Sequence, residues 1–347
     1  MPDEVKSAAC DVSRLLQRMG SFYLPPLPMR IPVRIHQDKP RLEAMTWDWS
    51  RDFLHFGDEK TAERYLDATM EWSEYIAADW DFTTALLAAE WTCTLFLYDD
   101  LSRRSTLAQA FVVPAPPGRF VSAEGWLAQA IEDLWKRSAH EASPMAARRL
   151  ELALREFFLG CLKELPYRRG VGALRWQGWD TYLCMRRETI GMPVFMALAQ
   201  VERGMNVTEK AFHATRTAAN LVNDHVTLTN DVFSVRKELC SGDCVNGVVA
   251  WALHKGTGLQ EAVDEACALI DEKEQQFLAE RDRLLSALPE LEPYLDRLGH
   301  IISGNQHWNY LTPRYHGEGY IWNGLKSGYV ELRPDRTVIR SRRTENR

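Results

Sequence analysis

Two groups of oxygen-bearing side chains stand out in the 347 residues. The first is the adjacent pair Asp99 and Asp100, which closes the apolar run DFTTALLAAEWTCTLFLYDD. Carboxylates near a helix C-terminus face the negative end of the macrodipole, at a cost of roughly 0.3–1 kcal/mol each, so a compensating cation is required. A hard Mg²⁺ ion suits adjacent carboxylates, because it keeps several waters and completes its shell with diphosphate oxygens. Arg103 and Arg104 fall at helical i+3 and i+4 spacing from the pair, so taken alone the cluster also fits a surface ion-pair network.

The second group lies in NLVNDHVTLTNDVFSVRKE, residues 220–238, where Asn230, Ser234 and Glu238 stand at i, i+4 and i+8 on one helix face. The Glu side chain leans back toward the helix N-terminus, which lets three oxygen ligands converge on a second Mg²⁺ site. Asp231 is placed to orient a ligand or bound water, and Lys237 offers a cation to a diphosphate oxygen. A similar set exists one register earlier in Asn223, Asp224, Thr227 and Asp231; the later set is preferred because Lys237 and Glu238 end it. A polar face meeting water is the bland alternative, although Asn and Ser do not favour helix interiors.

With these residues in view, the chain resembles the bacterial class I terpene synthases. The DD pair follows an aromatic-rich helix, N-D-x-x-S-x-x-K-E (230–238) lies downstream, R-x-x-x-G spans Arg187 to Gly191, and WNYLTPRY ends in Arg314–Tyr315. The likeness covers roughly residues 20–315. It implies an all-α, single-domain helical bundle around a deep apolar pocket. It also implies an enzyme that ionises a linear isoprenyl diphosphate, farnesyl or geranylgeranyl, and cyclises the carbocation to a terpene hydrocarbon or alcohol with release of pyrophosphate. Up to three Mg²⁺ ions are implied as cofactors, with Asp99, Asn230, Ser234 and Glu238 as ligands and Asp100 as a supporting acid. Arg187 is implied as the arginine that senses diphosphate, Gly191 as its link to ionisation, Lys237 as a further contact, and Arg314 and Tyr315 as the pair that closes over the substrate. One departure from the family pattern is that Arg103 and Arg104 stand where another acid usually follows the DD pair.

Ionisation needs preorganised cations around the leaving group, and the carbocation left behind needs a dry pocket of unreactive faces. Aromatic quadrupoles supply such faces at roughly 0.5–2 kcal/mol per contact. The chain holds twelve Trp, thirteen Phe and eleven Tyr; Phe96, three positions before Asp99, Phe195 after the Gly191 break, and Trp308 are the expected pocket-lining residues. Pro193 has no N–H for the Thr189 carbonyl and Gly191 tolerates a bend, so a helix break is expected there. Two other functions share parts of the pattern. A chain-elongating isoprenyl diphosphate synthase would need a second aspartate-rich motif in place of the Asn/Ser/Glu ladder, and a silent helical binding protein would have lost metal at the degenerate first motif.

The elements that must position these residues are helical. Apolar residues recur at three and four over 41–55, 58–76, 80–103, 122–139, 141–163, 178–190, 193–202, 207–238, 245–253, 257–286 and 290–311. Five prolines between 25 and 40 forbid a helix there and predict an extended strap over residues 1–40, ahead of a helical domain at 41–315. The only internal Pro-rich interruption is a loop at 112–119. The last thirteen residues carry five Arg against one Asp and one Glu, which suggests a partly disordered tail within 316–347. A net charge of −6 and pI near 5.9 speak against nucleic-acid or anionic-membrane binding. Seven scattered cysteines read as reduced thiols, and no signal peptide or membrane span is apparent, so a cytoplasmic enzyme is expected, with a homodimer implied by the resemblance.

Overall fold

A computed structural model describes residues 20–104, 113–115, 119–121, 125–168, 175–243 and 245–341. The side chains of Arg103 and Arg104, at the end of the first motif, lie outside the described residues. Thirteen α-helices occur among the described residues. They are α1 (Lys39–Phe53), α2 (Glu59–Ile76), α3 (Phe82–Arg104), α4 (Gly125–Glu141), α5 (Pro144–Arg168), α6 (Trp179–Thr189), α7 (Met192–Leu198), α8 (Glu209–Ala214), α9 (Arg216–Ser241), α10 (Gly247–Lys255), α11 (Leu259–Ala287), α12 (Glu292–Leu311) and α13 (Pro313–His316).

The two helices that carry the acidic groups are buried nearly all round. Along α3, Leu87, Ala88, Trp91, Leu95 and Tyr98 are inaccessible or nearly so, and Asp81 caps the start by accepting from the Thr83 and Thr84 amides. Such a helix must have neighbours on every side. The 26-residue α9, roughly 39 Å long at 1.5 Å per residue, packs against α11, α12, α13, α10 and α6, and Gly242 ends it in the left-handed region at φ 71°. The helix expected over 207–238 is in fact two, since the chain turns at Thr215 between α8 and α9.

The proline-rich segment before α1 has few backbone bonds of its own, so helix side chains supply them. Glu274 of α11 accepts from the Arg30 and Ile31 amides at 2.7 and 3.4 Å, and Gln306 of α12 donates to the Pro28 carbonyl at 2.9 Å. Inside this segment, β1 (Phe22–Leu24) joins two strands near the other end of the chain, β4 (Gly328–Leu332) and β5 (Thr337–Arg340), in an antiparallel sheet of order β1-β4-β5. Within the tail expected to be partly disordered at 316–347, the described part up to 341 contains two paired strands. Net charge had hidden the short alternation of Val330 and Ile339, which are buried while their neighbours are more exposed. In the expected loop at 112–119, β2 (Val113–Ala115) and β3 (Arg119–Val121) also pair antiparallel.

Helices α2 and α12 come together at Gly304, where an added Cβ would stand 2.7–2.9 Å from backbone atoms of Tyr75 and Ile76. Neither backbone can yield independently of its helix, so Gly304→Ala is expected to cost about 2 kcal/mol, read as a lower urea midpoint. An unchanged midpoint would mean that the two helices part without penalty.

Candidate active site

One cavity between the helices is lined by charged and polar side chains on one part of its wall and by aromatic rings on another. Asp99, Asn230, Glu238, Lys237 and Arg314 line its polar part, brought there by α3, α9 and α13, whereas Asp100 and the buried Ser234 are not lining residues of this cavity. Trp72, Phe96, Phe157, Phe195 and Trp308 line the rest. Three of these were expected; Trp72 and Phe157 were not, because each sits in a helix whose spacing says only that the residue is core. The rings form a connected wall, with Trp72 at 4.6 Å from Phe195 and 5.7 Å from Phe96, and Trp308 at 6.0 Å from Phe96 and 5.4 Å from Tyr315.

The compensating cations for the DD pair come from distant helices. Arg168 Nη1 lies 2.9 Å from Asp99 Oδ1, and Arg314 Nη2 lies 4.0 Å from Asp99 Oδ2. Arg314 donates to both oxygens of Asp100 at 2.6 and 3.1 Å, and Lys237 donates to Asp100 Oδ1 at 3.0 Å. Burial opposes ionisation of Asp100, but the Arg314 and Lys237 charges outweigh it and hold the carboxyl well below the usual range. The Arg314 guanidinium also lies 4.9 Å from the centroid of Phe96, so one aromatic face at the cavity mouth already meets a cation.

On α9, Asn230 Nδ2 donates to the Tyr315 hydroxyl at 2.7 Å, which leaves its amide oxygen free to serve as a ligand. The next two rungs are joined by Asn246, the N-cap of α10, whose Nδ2 donates to Glu238 Oε2 at 2.5 Å and approaches Ser234 Oγ at 3.4 Å. Asp231 faces away from the cavity into a network in which Oδ2 accepts from the Tyr182 hydroxyl at 2.6 Å and the Gly247 amide at 2.9 Å. Burial pushes its carboxyl up to about 6 against the lowering influence of Arg186 and Tyr182. An amide oxygen, a hydroxyl and a carboxylate at i, i+4 and i+8 are all hard donors, and this set fits a divalent cation of the Mg²⁺ type. Among the described residues no three His, Cys, Asp or Glu side chains converge on a point; the second ladder draws on Asn and Ser. The earlier register is turned elsewhere, with Asp224 taken up by Arg187 at 2.7 Å through both oxygens and by Lys273 at 3.5 Å.

That pairing overturns the position expected for Arg187, which does not line the cavity. Its neighbour Arg186 does, buried and bonded to Glu164 Oε1 at 3.1 Å and to the Thr189 hydroxyl at 3.0 Å. The cause is helical phase: Tyr182, Arg186 and Thr189 share the inward face of α6, and Arg187 is turned about 100° away. The break itself occurs as expected. Helix α6 ends at Thr189, Gly191 adopts φ 84°, and α7 begins at Met192, with the Gly191 carbonyl accepting from the Val194 amide at 3.1 Å. Arg168 and Glu164 were also missed, although their i,i+4 spacing on α5 was visible.

Residues 90–276, more than half of the chain, match the family model described as terpene synthase family 2, C-terminal metal binding. The chain belongs to terpene synthase family 2. The synthase is 23% identical over 319 residues to germacrene A synthase from Nostoc punctiforme, covering 86% of this chain and 97% of that protein. It is 27% identical over 192 residues to sesquiterpene synthase Agr1 from Cyclocybe aegerita, covering 54% and 55% of the two chains. In fold it is similar to the crystal structure of linalool/nerolidol synthase from Streptomyces clavuligerus, with a TM-score of 0.69 at 22% identity over 82% of this chain and 99% of the other. The synthase is thus a terpene cyclase with the mostly helical class I fold, a metal-binding domain and isoprenyl diphosphates as its substrate class. None of its described helices is long and apolar enough to cross a membrane.

Proposed function

We propose that the synthase uses Mg²⁺, up to three ions, to ionise farnesyl diphosphate, cyclises the cation, and releases pyrophosphate with a terpene hydrocarbon or alcohol. The observation that carries this reading is the division of one cavity into a charged mouth and an aromatic interior. Asn230, Ser234 and Glu238 are proposed to hold one ion, with Asp99 and Asp100 serving the others. When bound, the metal supplies Lewis-acid neutralisation of the departing diphosphate.

The chain's own groups do the rest. Lys237, Arg314 and Arg186, which takes the role first expected of Arg187, bind and orient diphosphate oxygens, and Tyr315 fixes Asn230 while closing the mouth beside Trp308. Gly191 marks the bend that joins the Arg186 helix to the cavity wall. Trp72, Phe96, Phe195 and Trp308 exclude water and present ring faces to the migrating charge, each contact contributing roughly 0.5–2 kcal/mol. Kinship with a protein named as a sesquiterpene synthase supports the fifteen-carbon substrate over geranylgeranyl diphosphate. A cytoplasmic location and, through the family resemblance, a homodimer belong to the same proposal.

The test is incubation with Mg²⁺ and geranyl, farnesyl or geranylgeranyl diphosphate, following pyrophosphate release and volatile products by gas chromatography. Farnesyl diphosphate is expected to give the fastest release and cyclic C15 products. Intact diphosphates at all three lengths would sink the reading, and longer diphosphates formed with added isopentenyl diphosphate would replace it with chain elongation.

A further inference from the structure

Arg168, at the last position of α5, belongs to neither acidic motif, yet its guanidinium is buried beside Asp99, with a side chain 5% exposed. It and Lys237 line both the deep aromatic cavity and a second cleft outside it, bounded by Asp100, Arg236, Cys240 and Asp243. These two cations therefore flank the passage between cavity and cleft, where a diphosphate must sit when its prenyl chain points inward.

The way Arg168 is held is equally informative. Glu164, fully buried one turn earlier, accepts from Arg168 Nε at 2.7 Å and also from Nη2, while its other oxygen accepts from Arg186 Nη1 at 3.1 Å and the Thr189 hydroxyl at 2.9 Å. One carboxylate thus fixes two guanidinium groups and the last residue of α6, and both arginines face the cavity. Burial alone would push the Glu164 carboxyl upward, but the two arginine charges keep it below its ordinary range, so it stays ionised. A single negative charge shared by two cations leaves an excess of one positive charge on the pair. Asp99 at 2.9 Å and Asp243 at 3.7 Å from Arg168 Nη1 meet that excess here. A guanidinium whose Nε and Nη2 are fixed from behind presents its remaining Nη1 donors forward, the geometry suited to an oxyanion.

We infer that Glu164 presents Arg168 and Arg186 as a paired guanidinium clamp for the substrate diphosphate, with Arg168 a direct contact and Glu164 a positioning residue. The inference rests on the proposed function above and adds two residues to it. Its consequence is that removing Arg168 weakens binding of the leaving group without disturbing the aromatic interior.

The experiment is calorimetry of inorganic pyrophosphate binding at one fixed Mg²⁺ concentration, on the full chain and on Arg168→Met, Arg168→Lys and Glu164→Gln, with KM and kcat for farnesyl diphosphate measured in parallel. Arg168→Met is expected to weaken pyrophosphate binding at least tenfold and to raise KM. Arg168→Lys should recover part of that loss, and Glu164→Gln should weaken binding severalfold although no contact to the ligand is removed. If Arg168→Met melts too early to titrate, the other two variants decide. Wild-type pyrophosphate affinity and KM in the variants that fold would overturn the clamp and leave the proposed function standing; a wild-type chain that neither binds pyrophosphate nor releases it would overturn both.

Discussion

Arg314→Ala is expected to lower the rate of pyrophosphate release by a factor on the order of 10²–10³, the range seen when one preorganised donor is removed from a developing negative charge. Arg314 is a buried guanidinium whose forked donors match the carboxylate of Asp100 at 2.6 and 3.1 Å while its face lies over Phe96. Alanine removes a cation from the mouth and, among the described residues, leaves Lys237 as the cation bonded to Asp100, so its carboxyl is expected to move up toward the ordinary range. Arg314→Lys keeps the charge but not the fork, and should recover only part of the activity. The measurement is initial-rate pyrophosphate release under saturating farnesyl diphosphate, with a thermal melt of each variant to exclude unfolding. A rate within threefold of wild type in a folded Arg314→Ala chain would remove this residue from the proposed machinery.

Glu238→Gln carries the second large effect. The substitution preserves volume and one acceptor oxygen but removes the only carboxylate among the three proposed ladder ligands. It also turns the contact with Asn246 Nδ2, 2.5 Å in the wild type, from a charge-assisted bond into one between two amides. Loss of an ionised ligand should cost at least the 10–100-fold in metal affinity associated with supporting groups. The expected result is a shift of that size, or more, in the Mg²⁺ concentration giving half-maximal pyrophosphate release, together with a lower maximal rate. An unchanged Mg²⁺ requirement would show that Glu238 serves structure alone. Asn246→Ala is a useful companion, because it leaves the carboxylate intact and removes only the group that steadies it.

The two predictions differ in how their residues became visible. Glu238 belongs to a spacing, and spacing along a helix is a local property: residues at i, i+4 and i+8 share a face whatever surrounds them. The break at Gly191 and Pro193 was legible for the same reason, since a missing N–H and a φ of 84° concern only the neighbouring turn. Arg314 was legible only through its resemblance to a family pattern, because nothing within WNYLTPRY indicates that its guanidinium reaches a carboxylate 214 residues away. The choice between Asn223/Asp224 and Asn230/Glu238 illustrates the limit of periodicity. Both sets have suitable spacing, and which one faces the cavity depends on how α9 is rotated against α6 and α11, where Arg187 and Lys273 take up Asp224.

By itself, then, the sequence determined the helical class, the extended entry before α1, the oxygen ladder on one face of α9, the acidic pair at the end of α3 and the bend after α6. Each follows from bond geometry or spacing within a few residues. Only the tertiary structure decided that Arg186 rather than Arg187 turns inward, that Arg168 sits against Asp99, that Asn246 bridges Ser234 and Glu238, and that residues 328–332 pair with β1 and residues 337–340 with β4. These depend on the rotation and approach of elements far apart in the chain. Rotation of a buried helix is set by how all its faces pack at once, and no local spacing records it.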